Sequence, residues 1–183
     1  MMNRLITAAL ALILAVAGAS AQSPQRATEL SVSYGAFPAT NYMATYRNHY
    51  DLSNAWGTVN VELARRLADR WIIGLSYGIS SSPGLRGADH LDRDVDATWH
   101  NLMANFRFTY LYTDGWVFYG HAAVGITLGY FSPSWEESYN NTRFAWQCSP
   151  IGVEYDFNRY FGLYFEAGMG NQGIVQLGFR LGL

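Results

Sequence analysis

Hydrophobic and polar positions alternate with a period of two along most of the chain beyond residue 27. Leu177, Phe179 and Leu181 share one face of the last such stretch, and the residues between them are glycine and arginine. Successive side chains of a β-strand point to opposite faces, so this alternation predicts strands with two different faces. The pattern recurs in eight segments: 28–37, 55–66, 71–81, 98–112, 116–131, 143–157, 160–170 and 173–183.

One face of each segment is apolar, whereas the other combines small residues with a few charges. The mid-segment charges all lie on the second face: Glu29, Glu62, Arg107, Glu154, Glu166 and Arg180. A water-facing sheet usually carries more Lys and Glu than this. Small residues with charges of both signs suit the inside of a narrow barrel. The pattern therefore predicts an apolar face directed to lipid and a polar face directed into a lumen.

The connections between the segments alternate in length. Those after the second, fourth and sixth segments are tight turns, whereas 38–54, 82–97 and 132–142 are long and polar. This arrangement is typical of an all-β, eight-stranded antiparallel up-and-down transmembrane barrel with periplasmic termini and extracellular long loops. The aromatic residues that flank the tight turns predict an interfacial girdle: Trp71, Phe108, Tyr110, Trp116, Phe118, Tyr155, Phe157 and Phe161.

The first 21 residues differ from the rest. Arg4, a short apolar run and the small residues Ala19 and Ala21 are typical of a cleavable signal peptide, and the run is too short for a membrane-spanning helix. We therefore expect a signal peptide at 1–21 and one barrel domain at 22–183.

Hydrophobic residues make up 50% of the chain and charged residues 14%, and the net charge of −2 argues against a nucleic-acid partner.

Two residues of the sixth segment need separate treatment. Pro150 cannot donate a ladder hydrogen bond, so it predicts a β-bulge or a later start of the strand. Cys148 is the single cysteine, which excludes an intramolecular disulfide. We expect Cys148 on the inner face, as a small packing residue.

The signal peptide, the eight strands, the tight turns and the long loops together resemble the small eight-stranded outer-membrane barrels. That family includes the outer-membrane protein A transmembrane domain, the opacity-type surface proteins and many uncharacterised outer-membrane β-barrel proteins. The C-terminus also looks like their assembly signal, which Gln176, Gly178, Leu181 and Leu183 match, although many members end in Phe. The resemblance implies an outer-membrane location, surrounding lipid, and recognition by the barrel-assembly machinery. The alternative for the C-terminus is an ordinary final amphipathic strand.

An eight-stranded barrel is just wide enough inside for side chains. Because buried charges need partners, we predict a polar network that plugs the lumen: Glu62, Arg107, His121, Glu154, Glu166 and Arg180. A narrow pore gated by rearrangement of the Arg–Glu pairs is an alternative. A secreted soluble carrier is a weaker one, since it needs an apolar interior and a polar exterior.

Other chemistry has weaker support in the sequence. A lipid A-modifying enzyme remains an alternative, but none of the four histidines has a serine two residues away. We expect no catalytic residue, cofactor or metal. Asp92, Asp94 and Asp96 superficially resemble a calcium loop, yet Ala97 and Met103 occupy its glycine and glutamate positions. We interpret this stretch as a solvated acidic loop.

The long loops contain aromatic residues among polar ones, a composition that suits recognition of an extracellular partner or glycan. The same residues could instead pack together over the mouth of the barrel. The candidates for recognition are Tyr42, Tyr46, Tyr50, Trp135 and Tyr139. The structural or surface-interaction role of the barrel would depend on these loops.

Overall fold

The computed structural model of the protein describes residues 26–40, 56–86, 94–133 and 137–183. These residues form eight antiparallel strands that close into one barrel in sequence order. The strands are β1 (Thr28–Ala36), β2 (Thr58–Ala68), β3 (Trp71–Arg86), β4 (Asp94–Thr113), β5 (Trp116–Pro133), β6 (Tyr139–Asn158), β7 (Phe161–Gly170) and β8 (Val175–Gly182). Pairing of β1 with both β2 and β8 closes the sheet. The predicted fold class is confirmed. Within the described ranges, no helix is long and apolar enough to cross a membrane.

The central strands extend further than the sequence predicts. Strands β3 and β4 take up both ends of the predicted loop 82–97, and β5 and β6 shorten the predicted loop 132–142. Ser80 and Ser82 are buried although they belong to a run of three serines, and Asp94 is already in the ladder, opposite Arg86. Strand pairing continues here without apolar alternation, because backbone hydrogen bonds do not require an apolar face. The predicted loop bounds are corrected accordingly.

The barrel wall is unequal in height. Strands β3 to β6 have 16, 20, 18 and 20 residues, whereas β7, β8 and β1 have 10, 8 and 9. We call the end with the turns 69–70, 114–115 and 159–160 the turn end, and the opposite end the loop end. The last residue of β7, Gly170, pairs with Gln147, eight residues after the start of β6 at Tyr139. The wall is therefore low at the loop end along β7, β8 and β1.

Local sequence accounts for a turn and a bulge. Asp114 and Gly115 both have positive φ, 45° and 85°, as the two-residue hairpin turn with mirror-image geometry requires. The register of β6 against β7 shifts between Cys148 and Ile151. This shift is the bulge expected at Pro150, which cannot donate to the ladder.

Alternation along the strands separates an exposed face from a buried one. In β5, for example, Val124, Ile126 and Leu128 are exposed, whereas Ala123 and Thr127 are buried. Cys148 is a correction to the sequence prediction, because it is exposed on the outer face. Its neighbours Gln147 and Ser149 are the buried residues at this point of β6. The strand is thus one residue out of phase with the prediction there.

Candidate functional site: the lumen, its two ends and the outer face

Glu154 is the centre of a charged layer in the turn half of the lumen. Its Oε1 lies 2.7 Å from Nη1 of Arg26, its Oε2 accepts a hydrogen bond from Nη1 of Arg180, and Nη1 of Arg107 is 3.9 Å from Oε2. Asp156 is bound by the same Arg26, at 2.6 Å. Three arginines from three parts of the chain thus converge on one carboxylate, which compensates its burial.

A second set of contacts continues from Arg180 toward the middle of the barrel. Nη2 of Arg180 donates to the hydroxyl of Tyr119, which donates to Oε1 of Glu166; both distances are 2.8 Å. His121 lies between Oε2 of Glu166, at 2.8 Å from Nδ1, and Oδ1 of Asn105, at 3.0 Å from Nε2. The Arg180 guanidinium also stacks over the ring of Tyr164, 3.9 Å from its centroid. Five of the six predicted network residues, all except Glu62, are therefore connected.

Glu62 lies apart from these ion pairs. Its Oε2 accepts a hydrogen bond from Oγ of Ser31 at 3.3 Å, and its side chain lies over Gly74. Among the described residues it forms no ion pair. Arg107 instead binds Glu29, with 2.9 Å between Nη2 and Oε2.

Above the charged layer, the connection between β7 and β8 turns into the lumen. Nε2 of Gln172 donates to Oγ of Ser76 at 2.9 Å and to Oδ1 of Asn105 at 3.1 Å. Nδ2 of Asn171 donates to Oγ1 of Thr127 at 2.9 Å. Both amide side chains are buried. We call residues 171–174 the inner turn; because β7 and β8 are short, it lies below the loop-end rim and spans the lumen.

Sequence reasoning missed two parts of this interior. Arg26 precedes the first predicted segment, and nothing in its sequence context distinguishes it from an ordinary N-terminal charge. The inner turn falls in the short link between the seventh and eighth predicted segments, which the strand pattern does not place inside the lumen. A signal existed for it, since the connection after the seventh segment is as tight as a turn although it falls at the loop end.

Cavities remain at both ends. At the turn end a cavity of about 230 Å³ is lined by Arg26, Glu29, Arg66, Arg107 and Glu154, among others. At the loop end a cavity of about 350 Å³ lies above the low wall. The loop-end cavity has both aromatic and basic lining residues, including Trp99, Arg143, Phe144 and Trp146.

The outer face is apolar around the barrel and carries aromatic residues at two levels. At the turn end, predicted girdle residues form two chains of successive ring contacts: Trp71–Phe108–Tyr110 and Trp116–Tyr155–Phe157–Phe161. At the upper level, His100 contacts both Tyr77 and Tyr130, and the Tyr77 hydroxyl is 2.5 Å from Nδ1 of His100.

The spacing of the two levels can be estimated along β4. His100 is 108 − 100 = 8 residues from Phe108. At ~3.4 Å per residue and a strand tilt of about 40°, this corresponds to roughly 20 Å along the barrel axis. An outer-membrane barrel has an apolar band about 25 Å tall between its aromatic girdles. The two levels are therefore separated by approximately the thickness of such a band.

The four residues of the C-terminal motif divide between the two faces. Gln176 is buried and donates from Nε2 to Oε2 of Glu166 at 3.2 Å. A Cβ at Gly178 would lie 2.6 Å from Cβ of Ser33 and 2.7 Å from Cε1 of Tyr164, so the position is too crowded for a side chain. Leu181 and Leu183 are exposed on the outer face. Contacts within the barrel thus account for Gln176 and Gly178 but not for the two leucines.

Of the loop candidates, Tyr139 is described, at the start of β6, where it stacks on Phe131 with 5.0 Å between ring centroids. Tyr42, Tyr46, Tyr50 and Trp135 lie outside the described residues. Asp92 does as well, whereas Asp94 and Asp96 belong to β4 and not to a loop.

The described residues offer no obvious catalytic or metal centre. No group of three or more His, Cys, Asp or Glu side chains within the described ranges could hold a metal ion. His100 bonds Tyr77, and His121 bonds Glu166 and Asn105, so neither imidazole is hydrogen-bonded to a serine there. His49 and His90 lie outside the described residues.

Comparison with known proteins finds similarity in fold only. No protein-family model and no curated protein matches the chain. Ail, the attachment invasion locus protein of Yersinia pestis, is similar over 86% of this chain and 95% of its own, with 14% identity and a TM-score of 0.47. Ail has also been solved in complex with the heparin analogue sucrose octasulfate. The N-terminal β-barrel domain of Pseudomonas aeruginosa OprF is similar over 87% of this chain and 98% of its own, with 13% identity and a TM-score of 0.48.

Proposed function

We propose that the protein is an integral β-barrel of the bacterial outer membrane with a structural or surface-interaction role. The observation that carries this proposal is the inversion of the two faces. Leu102, Phe106 and Val124 are about half exposed on the outside, whereas Arg107 and Arg180 are buried inside. An apolar outer surface over a charged interior is stable in lipid and unfavourable in water. The inversion equally argues against the soluble carrier.

The surface role would belong to the loop end, which in this orientation faces the outside of the cell. The tall wall of β3 to β6 raises Tyr139 and the following residues above the low wall of β7, β8 and β1. The loop-end cavity beside it combines Trp99 and Trp146 with Arg143. Aromatic and arginine side chains are the residues that most often dominate binding surfaces. An extracellular protein or glycan is the partner that suits them.

The lumen would not be an open pore, since two layers close it in series. The charged layer around Glu154 would cross the turn half, beside the turn-end cavity, and Asn171 and Gln172 of the inner turn would cross the middle. Both layers consist of buried side chains that are hydrogen-bonded to one another. An ion would have to displace both sets of bonds to pass. The rival reading, a narrow gated pore, requires the two layers to rearrange together.

Insertion of the barrel would use the barrel-assembly machinery, with β8 as the strand that is recognised. In support, Leu181 and Leu183 expose their side chains on the outer face of the last strand. The leading residues 1–21 would direct export and be removed.

Membrane fractionation tests the central proposal. The full-length gene is expressed in a Gram-negative host, and washed outer membranes are extracted with carbonate and then with detergent. We expect the protein to stay in the carbonate pellet, to dissolve only in detergent, and to migrate faster on gels before boiling than after it. Release into buffer without detergent would overturn the proposal and favour the soluble carrier.

A further inference from the structure

The guanidinium of Arg66 at the turn end forms no ion pair among the described residues. Its Nη1 donates to the main-chain oxygen of Asp69 at 2.8 Å, and its Nε is buried without a hydrogen-bond partner. A charge removed from water is unfavourable unless an opposite charge compensates it. The Arg66 guanidinium therefore has an unused N–H donor and no carboxylate in direct contact.

The acidic side chains that line the same cavity are in direct contact with other arginines. These pairs are Glu29 with Arg107 at 2.9 Å, Glu154 with Arg26 at 2.7 Å, and Asp156 with Arg26 at 2.6 Å. Arg66 is thus left without an ion pair of its own, although these carboxylates are close enough to favour its charge.

Two cavities meet at this guanidinium. One is the turn-end cavity of about 230 Å³, and the other, of about 260 Å³, lies between the 69–70 turn and the end of β4. Thr109 and Tyr112 line both cavities, and Arg70 and Leu111 line the second. Leu111 is 54% exposed, on the outer face. The second cavity therefore reaches from the mouth of the lumen to the rim where lipid would begin.

We propose that this second cavity, which we call the Arg66 notch, binds the phosphate of an anionic phospholipid headgroup. Arg66 and Arg70 outweigh the one acidic lining residue, Asp69. Arginine binds phosphate oxygens with paired N–H groups, and the hydroxyls of Thr109 and Tyr112 add donors. The acyl chains would follow the outer face past Leu111. This inference rests on the proposed membrane location, with the turn end in the inner leaflet.

The shared chemistry is a phosphate, which could come from lipid or from solution, and the experiment separates these sources. The full-length protein is assembled in nanodiscs of phosphatidylcholine with a minor share of phosphatidylglycerol, and native mass spectrometry counts the lipid that stays bound. In a second arm, inorganic phosphate is titrated into protein in pure phosphatidylcholine nanodiscs. Arg66→Gln removes the charge and keeps the polar character. Arg65→Gln removes the same charge one residue away, on the opposite face.

We expect wild type to retain phosphatidylglycerol over phosphatidylcholine, Arg66→Gln to reduce that retention about tenfold or more, and Arg65→Gln to leave it within about twofold. Phosphate binding that Arg66→Gln alone abolishes, without retained lipid, would support the anion site but overturn the lipid as its occupant. If Arg66→Gln and Arg65→Gln retained equal amounts of phosphatidylglycerol, or if wild type bound neither phosphatidylglycerol nor inorganic phosphate, the site itself would be overturned.

Folding is monitored separately by the gel shift on boiling. If Arg66→Gln does not fold, Arg70→Gln replaces it and should also reduce retention. Release of wild-type protein into buffer would instead mark failure of the proposed membrane function, independently of the notch.

Discussion

The contacts of Arg180 predict the cost of breaking the charged layer at one point. Replacing Arg180 with methionine keeps a long side chain but removes the guanidinium. The side chain is 1% exposed and bonds Glu154, Tyr119 and Glu166. Removing one partner of a buried ion pair typically costs about 3–5 kcal/mol, because the other charge stays buried.

Two features of the layer decide where in this range the variant should lie. Glu154 keeps Arg26 at 2.7 Å, and Glu166 keeps His121 at 2.8 Å, so neither carboxylate is left without a positive or donating neighbour. The stacking of the Arg180 guanidinium over Tyr164 is lost as well, at roughly 1–2 kcal/mol for a desolvated pair. These effects oppose each other, and we expect a loss of about 3 kcal/mol.

The assay is equilibrium unfolding by urea in lipid vesicles, followed by tryptophan fluorescence and tested for reversibility. Arg159→Met is the matched control, since Arg159 is exposed and stacks over Tyr160 with 4.5 Å to the ring centroid. It should cost less than about 1 kcal/mol. A change below about 1 kcal/mol for Arg180→Met as well would refute the reasoning that this layer holds the barrel together.

Three further predictions address orientation, closure and the C-terminal motif. Leu75→Arg should destabilise the barrel folded in vesicles by about 2–4 kcal/mol, whereas Leu67→Arg at the turn end should destabilise it by at most about 1 kcal/mol. Equal destabilisation by the two variants would contradict the lipid-facing assignment. In planar bilayers, Gln172→Ala and Glu154→Gln alone should each stay closed, because the other layer remains, and only the double variant should conduct; conduction by either single variant would show that the layers do not act in series. Gly178→Ala should reduce the stability of the barrel by about 1–3 kcal/mol when the protein is refolded into vesicles without any assembly machinery, because the added Cβ overlaps neighbouring atoms. Normal refolding combined with failed assembly in cells would assign the glycine to recognition instead.

The parts of the fold that sequence predicts are those where lipid imposes alternation. Between the two aromatic levels the outer face must be apolar, so period-two patterning there marks the strands of the barrel. Above the upper level no such requirement holds. Ser82 there pairs with Ala97, and Asp94 pairs with Arg86, although neither stretch has the apolar alternation of the segments below. The prediction therefore ended β3 early and started β4 late. At Cys148 the pattern failed for another reason, because the bulge at Pro150 shifts the phase of β6 by one residue.

The interior was predictable as a set of charges but not as a set of partners. Alternation identifies Glu154 and Arg180 as inward-facing, and burial then requires that they be paired. Which residues pair depends on the relative heights of strands distant in sequence. Arg26 crosses from the start of the chain to Glu154 and Asp156, separations of 128 and 130 residues. A single sequence contains no periodic signal for contacts of this length.

The position of the two closing layers has a consequence for the loops. The ion pairs described above involve Arg26, Arg107, His121 or Arg180, in the turn half and middle of the barrel. In the proposed closure, the inner turn blocks the lumen below the loop-end rim, because β7 and β8 stop short of that rim. The inner turn bonds Thr127 of β5 and Trp146 and Gln147 of β6 but no residue closer to the loop-end rim of these two strands. Changes nearer that rim should therefore leave stability and closure intact. Loop-end sequence is then free to vary with the partner it meets, while the barrel beneath it stays the same.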